Sequence, residues 1–297
     1  MRHLKLKRGV FLVLLLLWAG VAALLYVQPI SARDDISNTS SALGQVIATL
    51  ESSQNGKKWL DQALVQKGFV HAGQLIGSFI QLGDVSHTDA VIARNFNPKT
   101  GKEEIEREVV IHIKRNQNLE DGVLDLAHEL VHALSLPQWD PYDPKLTLGQ
   151  YVFAVIEGDG GEVDAFFNEC LTSQELSKAL GWKLGRCEEY IKDGMLQREL
   201  IVKAFYQVGE DKEKVIELLG EEAVKFPQLS ALPAKLYSST GQTPYPNALI
   251  QEFKFLNQVA CGNTLKRLSS IEDNPQIDSK QKHKETLNFL EKRCYNL

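Results

Sequence analysis

The chain opens with a long uncharged run: Gly9 to Ile30 is rich in Leu and Val, apolar from Val10 to Val27, and follows the basic residues Arg2, Lys5, Lys7 and Arg8. A basic flank before such a run directs export. Its apolar part approaches the roughly 18–20 residues that span a bilayer, which favours an uncleaved anchor over a cleaved signal peptide. Ile30-Ser31-Ala32 is the site at which cleavage would fall. Residues 31–42 are polar and read as a tether, and helical periodicity then runs from Leu43 through Val46, Ile47 and Leu50 to Trp59, Leu60, Ala63 and Leu64, broken near Asn55-Gly56. Period-two alternation follows. Ala90–Ala93, a turn-rich stretch at 97–101 and Glu106–Lys114 predict a hairpin, with Val109, Ile111 and Ile113 sharing one face of the second strand.

Asn116 or Asn118 can cap the next helix, whose first turn holds Glu120 and Asp121, on the side that suits the helix dipole. It is apolar on nearly every side, through Leu124, Leu126, Ala127, Leu130, Val131, Ala133 and Leu134, and stops before Pro137. Pro137 to Pro144 forms a loop. Helical pattern resumes near Leu146, loosens over Gly158–Gly161, and continues from Glu162 to about Leu176. Beyond Trp182 the chain reads as helices interrupted at 238–246. The predicted fold is α+β and mainly helical: a signal peptide or anchor at 1–30, a linker at 31–42, a first domain at 43–196 that contains the hairpin, and a helical subdomain at 197–297.

Charge and cysteines narrow the partners. Setting aside the four leading cations takes the formal charge from −5 to −9, so no basic stripe is left for nucleic acid. Cys170, Cys187, Cys261 and Cys294 form no C-x-x-C pair, and an even count in a translocated chain predicts disulfides. The local pairings Cys170–Cys187 and Cys261–Cys294 are expected, because each ties neighbouring helices. The setting is exported, either periplasmic or anchored in the inner membrane.

The chemistry lies in His128-Glu129-Leu130-Val131-His132. On a helix, positions four apart leave the same face, about 40° apart in projection, so both imidazoles can bind one Zn²⁺. Glu129 lies about 100° round, where it can serve a water without becoming a ligand. With seven histidines in 297 residues, chance alone gives the pattern on the order of 1% of the time, and a buried helix has little reason to hold three unpartnered polar groups. A catalytic zinc site needs a third protein ligand. After Ala133 the only histidine is His283, so a carboxylate on the following helix is expected, and the segment Ile156–Phe166 supplies candidates.

His128-Glu129-x-x-His132, Glu162-x-x-Ala165 and the hairpin before them resemble the gluzincin metallopeptidases over roughly residues 88–176. The resemblance implies a zincin-like domain, one Zn²⁺ held by His128, His132 and Glu162, and Glu129 as general base. Glu157 is the runner-up for the third ligand and Glu169 a distant third. Family members often have an Asp four residues after the ligand Glu, bonded to the first His. Here that position is Phe166, and Asp125 or Asp164 are the stand-ins expected. The strand 106–114 would border the cleft as an edge strand and pair with an extended peptide or protein substrate. Tyr206, Tyr237, Tyr245 and His283 are candidates to stabilise the oxyanion. His71, His87 and His112 read as ordinary surface or strand residues, and Trp139 and Tyr142 as a packed loop rather than a flap.

The function expected is a zinc-dependent metallopeptidase on the extracytoplasmic face. The alternative is a membrane-tethered helical interaction protein with a structural or degenerate metal site. A deformylase is excluded because no cysteine precedes Cys170. A peptidase for cell-wall peptides has no wall-binding repeat in its favour.

Overall fold

A computed structural model of the chain describes residues 39–97, 102–238, 242–272 and 279–294. The expected anchor at 1–30 lies outside the described residues, as does the tether up to residue 38. Among the described residues no helix is long and apolar enough to cross a membrane.

Helix α1 (Thr39–Glu51) starts inside the stretch expected as tether and packs Leu43, Val46, Ile47 and Leu50 into the core. The break before α2 (Gln54–Lys67) falls earlier than the Asn-Gly pair suggests, because Ser53 caps α2 by accepting from the Gly56 amide. Gly56 is needed for close approach: a Cβ there would lie 2.2 Å from Leu50 Cδ1.

The hairpin is present and longer than its apolar cores, as β2 (His87–Asn97) and β3 (Lys102–Lys114). A short strand that the sequence reading missed, β1 (Ile80–Gly83), runs parallel to β3 on its other side. The sheet is therefore mixed, in the order β1-β3-β2, and β3 is central. This corrects the edge-strand expectation in part: β2 pairs with β3 over residues 102–112 and β1 over 111–114, so β3 is paired on both sides only at Ile111 and His112 and on one side only over 102–110. The register sets Thr88 opposite Ile111 and Ala90 opposite Val109, so these side chains share the face turned to the core.

Asn118, not Asn116, caps α3 (Leu119–Leu134), its side chain accepting from the Asp121 amide at 2.8 Å. One side of α3, including Val123, Leu126, Ala127, Leu130 and Leu134, joins α1, α2, β1 and β3 in a first apolar core. Truncating such a buried leucine to alanine costs about 2–5 kcal/mol. The opposite side packs against α5 (Glu162–Leu180), which follows α4 (Leu148–Ile156). A second core runs from Leu146 to Ile250 and gathers α4, most of α5, α6 (Arg198–Phe205), α7 (Lys212–Leu219) and the start of α8 (Tyr245–Glu272). Part of the stretch after Trp182 is not helical as expected, since β4 (Ile191–Lys192) and β5 (Met195–Leu196) form a two-stranded ribbon around Asp193-Gly194. Helix α9 (Ser279–Arg293) returns along α8. The architecture is mainly helical with two small sheets, an α+β arrangement.

Both expected disulfides are formed. Cys170 of α5 joins Cys187 in the turn after it, and Cys261 of α8 joins Cys294 at the end of α9. Two cross-links with no free cysteine suit an oxidising, extracytoplasmic compartment.

Candidate metal centre

The seam between α3 and α5 holds the chemistry. His128 and His132 leave α3 on one face, and their Nε2 atoms lie 3.1 Å apart. Each Nδ1 already has a partner: His128 Nδ1 lies 3.2 Å from Glu169 Oε2, and His132 Nδ1 lies 2.9 Å from the Gly160 carbonyl. Carboxylate and carbonyl oxygens only accept, so in the neutral rings both Nδ1 atoms carry the proton and both Nε2 atoms keep a lone pair. Two lone pairs facing each other at that distance repel unless a proton or a cation lies between them.

Glu162, the first residue of α5, completes the cluster. Its Oε2 lies 3.6 Å from His128 Nε2 and its Oε1 3.8 Å from His132 Nε2, and one donor atom from each residue falls within 4.8 Å of the others. Oε2 is buried and has no hydrogen-bond partner. Such an orphan costs about 1–3 kcal/mol, more when charged, so the site fits a cation. The donor chemistry of two imidazoles and a carboxylate matches a catalytic zinc site with one position left open. Electrostatics agree. Burial alone would lower the His128 pKa, but Glu162 and Glu169 outweigh it and raise it to about 10, so the site demands positive charge. Burial would raise the Glu162 pKa, and His132, His128 and a hydrogen bond from Tyr245 together bring it below the usual carboxylate range.

Behind each histidine stands a carboxylate-arginine chain. Glu169 is fully buried and receives Arg186 Nε at 2.6 Å on Oε1. Gly160 is held by its amide, which donates to Asp164 Oδ2 at 3.0 Å, and Asp164 in turn accepts from Arg198 at 2.7 Å. Glu169 thus does the work expected of Asp125 or Asp164. Phe166 cannot, because it is buried in the second core edge-on to Tyr190 and Phe205. Asp125 instead accepts from Ser86 and Gln117, and Asp164 reaches His132 only through Gly160. The runner-up ligand is removed: Glu157 Oε1 accepts from Tyr206 and Gln228, both at 2.8 Å. Tyr206 is thereby lost as an oxyanion donor, being fully buried on Glu157.

Glu129 is nearly buried, and Thr88 of β2 meets it. Thr88 Oγ1 lies 2.7 Å from Glu129 Oε2 and 3.0 Å from its main-chain carbonyl, so the hydroxyl proton goes to the nearer acceptor. No residue pattern marks Thr88 in advance; only the register of β2 over α3 brings it there. Of the remaining oxyanion candidates, Tyr245 is the one at the cluster. Burial and then the charges of Glu162 and Glu129 raise its pKa well above the usual phenol value. Tyr237 is half exposed at the wall of a cavity of about 240 Å³ that opens beside His128, with Tyr245 on the same wall. The His283 side chain lies outside the described residues.

His87, His112, Trp139 and Tyr142 make packing contacts of their own. His87 and His112 stack at 4.7 Å on the outer face of the sheet. Trp139 packs edge-on to Tyr151, and Tyr142 lies under Arg94 and Arg267 while accepting from Asn263, which makes their loop a packed one. No protein-family model matches the chain, and neither a curated protein nor a solved structure is similar to it.

Proposed function

We propose that the protein is a zinc-dependent peptidase of gluzincin type, acting on the extracytoplasmic side of the membrane, with His128, His132 and Glu162 as ligands and Glu129 as general base. The observation that carries this reading is the paired Nε2 atoms 3.1 Å apart, each ring tied at Nδ1, facing the unpartnered Oε2 of Glu162. The order of a hairpin, the histidine helix and a Glu-bearing helix supports a zincin-like domain.

Zn²⁺ held there would supply the Lewis acid that lowers the pKa of water and polarises the scissile carbonyl. The chain does the rest. Glu129 takes the proton from the attacking water and delivers it to the leaving amine. Thr88 holds Oε2 of that carboxylate and leaves Oε1 for the water. The Tyr245 hydroxyl, which donates to Glu162 in the free site, would turn from that carboxylate to serve the oxyanion. The outer edge of β2, the strand whose Thr88 meets Glu129, offers main-chain groups to an extended peptide.

The test is elemental analysis together with cleavage of a peptide library by wild type and Glu129→Gln. One zinc per chain in both, with hydrolysis lost only in the variant, is expected. Zinc with no cleavage by either would favour a structural site in an interaction protein. Equal cleavage by both would remove Glu129 from the mechanism.

A further inference from the structure

Two pairs of neighbours in the chain meet beside His128. Glu169 and Cys170 are consecutive on α5, and Arg186 and Cys187 are consecutive in the short turn at Gly185–Tyr190. The Cys170–Cys187 bond sets their Cα atoms 5.3 Å apart, and the adjacent Arg186 meets the adjacent Glu169 at 2.6 Å. Glu169 in turn holds the His128 ring.

Burial does not keep Arg186 in place. Its side chain is 58% exposed, whereas that of Glu169 is 0% exposed. The pair is open on the arginine's side alone: the guanidinium reaches in past the Phe166 ring to a carboxylate that is itself buried, so its hold depends on where the turn sets the start of that side chain. Its turn leaves α5 at Gly181 and returns through irregular chain; two ring contacts on Phe166, from Arg186 at 5.6 Å and Tyr190 at 5.3 Å, help to hold it. The covalent link closes this 17-residue separation and removes the freedom of the loop.

We propose that the Cys170–Cys187 cross-link and Arg186 form one positioning unit for His128, and that this unit sets the affinity of the site for Zn²⁺. The inference rests on the metal reading above. Without the link, the turn can draw Arg186 away, the Glu169 carboxylate is free to swing, and the His128 ring loses the acceptor that fixes it. The second disulfide supplies the control, since Cys261–Cys294 ties α8 to the end of α9 and touches no group of the metal cluster.

Zn²⁺ affinity of the full chain is measured by competition with a chromogenic chelator, beside thermal melts. Cys170→Ala/Cys187→Ala should weaken binding about 10–100-fold, the range for lost groups behind a metal ligand. Arg186→Gln alone should weaken it nearly as much, and adding it to the cysteine variant should change little. Cys261→Ala/Cys294→Ala should lower the melting temperature and leave the affinity in place. Wild-type affinity in Cys170→Ala/Cys187→Ala overturns the proposal, and so does an equal loss on removing either disulfide. If the first cysteine variant does not fold, Arg186→Gln decides, and unchanged affinity there also overturns it. A wild-type chain that takes up no zinc refutes the metal reading itself, which separates the two failures.

Discussion

Gly160 is where the histidine helix and the loop before α5 touch, and replacing it with alanine tests the site from its backbone. The residue has φ +73°, and a Cβ would lie 2.0 Å from Ser135 Cβ and 2.1 Å from Ser135 Oγ. Left-handed backbone costs a residue with a side chain about 1–2 kcal/mol. Relieving the overlap adds about 1–3 kcal/mol of overpacking strain, for a loss of about 2–5 kcal/mol. The geometry matters more than the sum. Ser135 sits at the end of α3 and its Cβ cannot swing away, so the loop must retreat by roughly 1.5 Å to restore ordinary contact. The Gly160 carbonyl, 2.9 Å from His132 Nδ1, would then pass beyond hydrogen-bond reach. Zinc affinity should fall about 10–100-fold. Competition titration measures this directly, and thermal melts with and without chelator report the stability loss separately. Ser135→Gly/Gly160→Ala removes the overlap but keeps the backbone strain, so it should recover most of the affinity and part of the stability. A Gly160→Ala chain that is destabilised yet binds zinc like wild type would refute the role of this carbonyl.

Thr88→Val keeps the β-branched shape in β2 and deletes the donor to Glu129. With one charge-assisted bond worth about 1.5–3 kcal/mol and partly replaced by water, kcat/KM for a cleaved peptide should drop about tenfold with zinc content unchanged. Tyr245→Phe should lower kcat about 10²–10³-fold with KM nearly constant if its hydroxyl meets the oxyanion, and steady-state kinetics will separate the two constants. Glu222 anchors the start of α4. Burial would raise its pKa, but the Thr147 hydroxyl, the Gly149 amide and Lys225 together lower it. A carboxylate with a depressed folded-state pKa stabilises above its unfolded value near 4.3 and loses that contribution as pH falls through the folded value. Wild type should therefore exceed Glu222→Gln by under about 1 kcal/mol at pH 7, and urea melts should show the gap closing as pH falls below the unfolded value.

What the chain reveals by local pattern matches what local forces decide. The periodicity and cap of α3, the histidine spacing and the alternation of β3 all come from neighbours in sequence; α3 ends within two residues of the expected position, and β3 starts four residues before it. The Cys170–Cys187 and Cys261–Cys294 pairings, 17 and 33 residues apart, were legible for another reason: four cysteines allow only three pairings, and the shortest loops were preferred. β1 was not, because Ile80-Gln-Leu-Gly is too short to show a period and forms only by lying along β3. That omission turned the central strand into a supposed edge. Glu157 and Glu162 look alike in sequence; only tertiary contact gives the first to Tyr206 and Gln228 and leaves the second facing the histidines. Arg186 behind Glu169 and Thr88 behind Glu129 are 17 and 41 residues from their partners, beyond any local pattern.

The ligands divide between two bodies of packed side chains. His128 and His132 ride on a helix whose apolar side belongs with the sheet, and Glu162 opens a helix that lies along it yet sets Val163, Phe166 and Cys170 into the second core. An ion gripped by all three would work as a rivet as well as a reagent. It would couple the two halves mechanically, and the width of the groove between them would follow the ion's hold on three side chains.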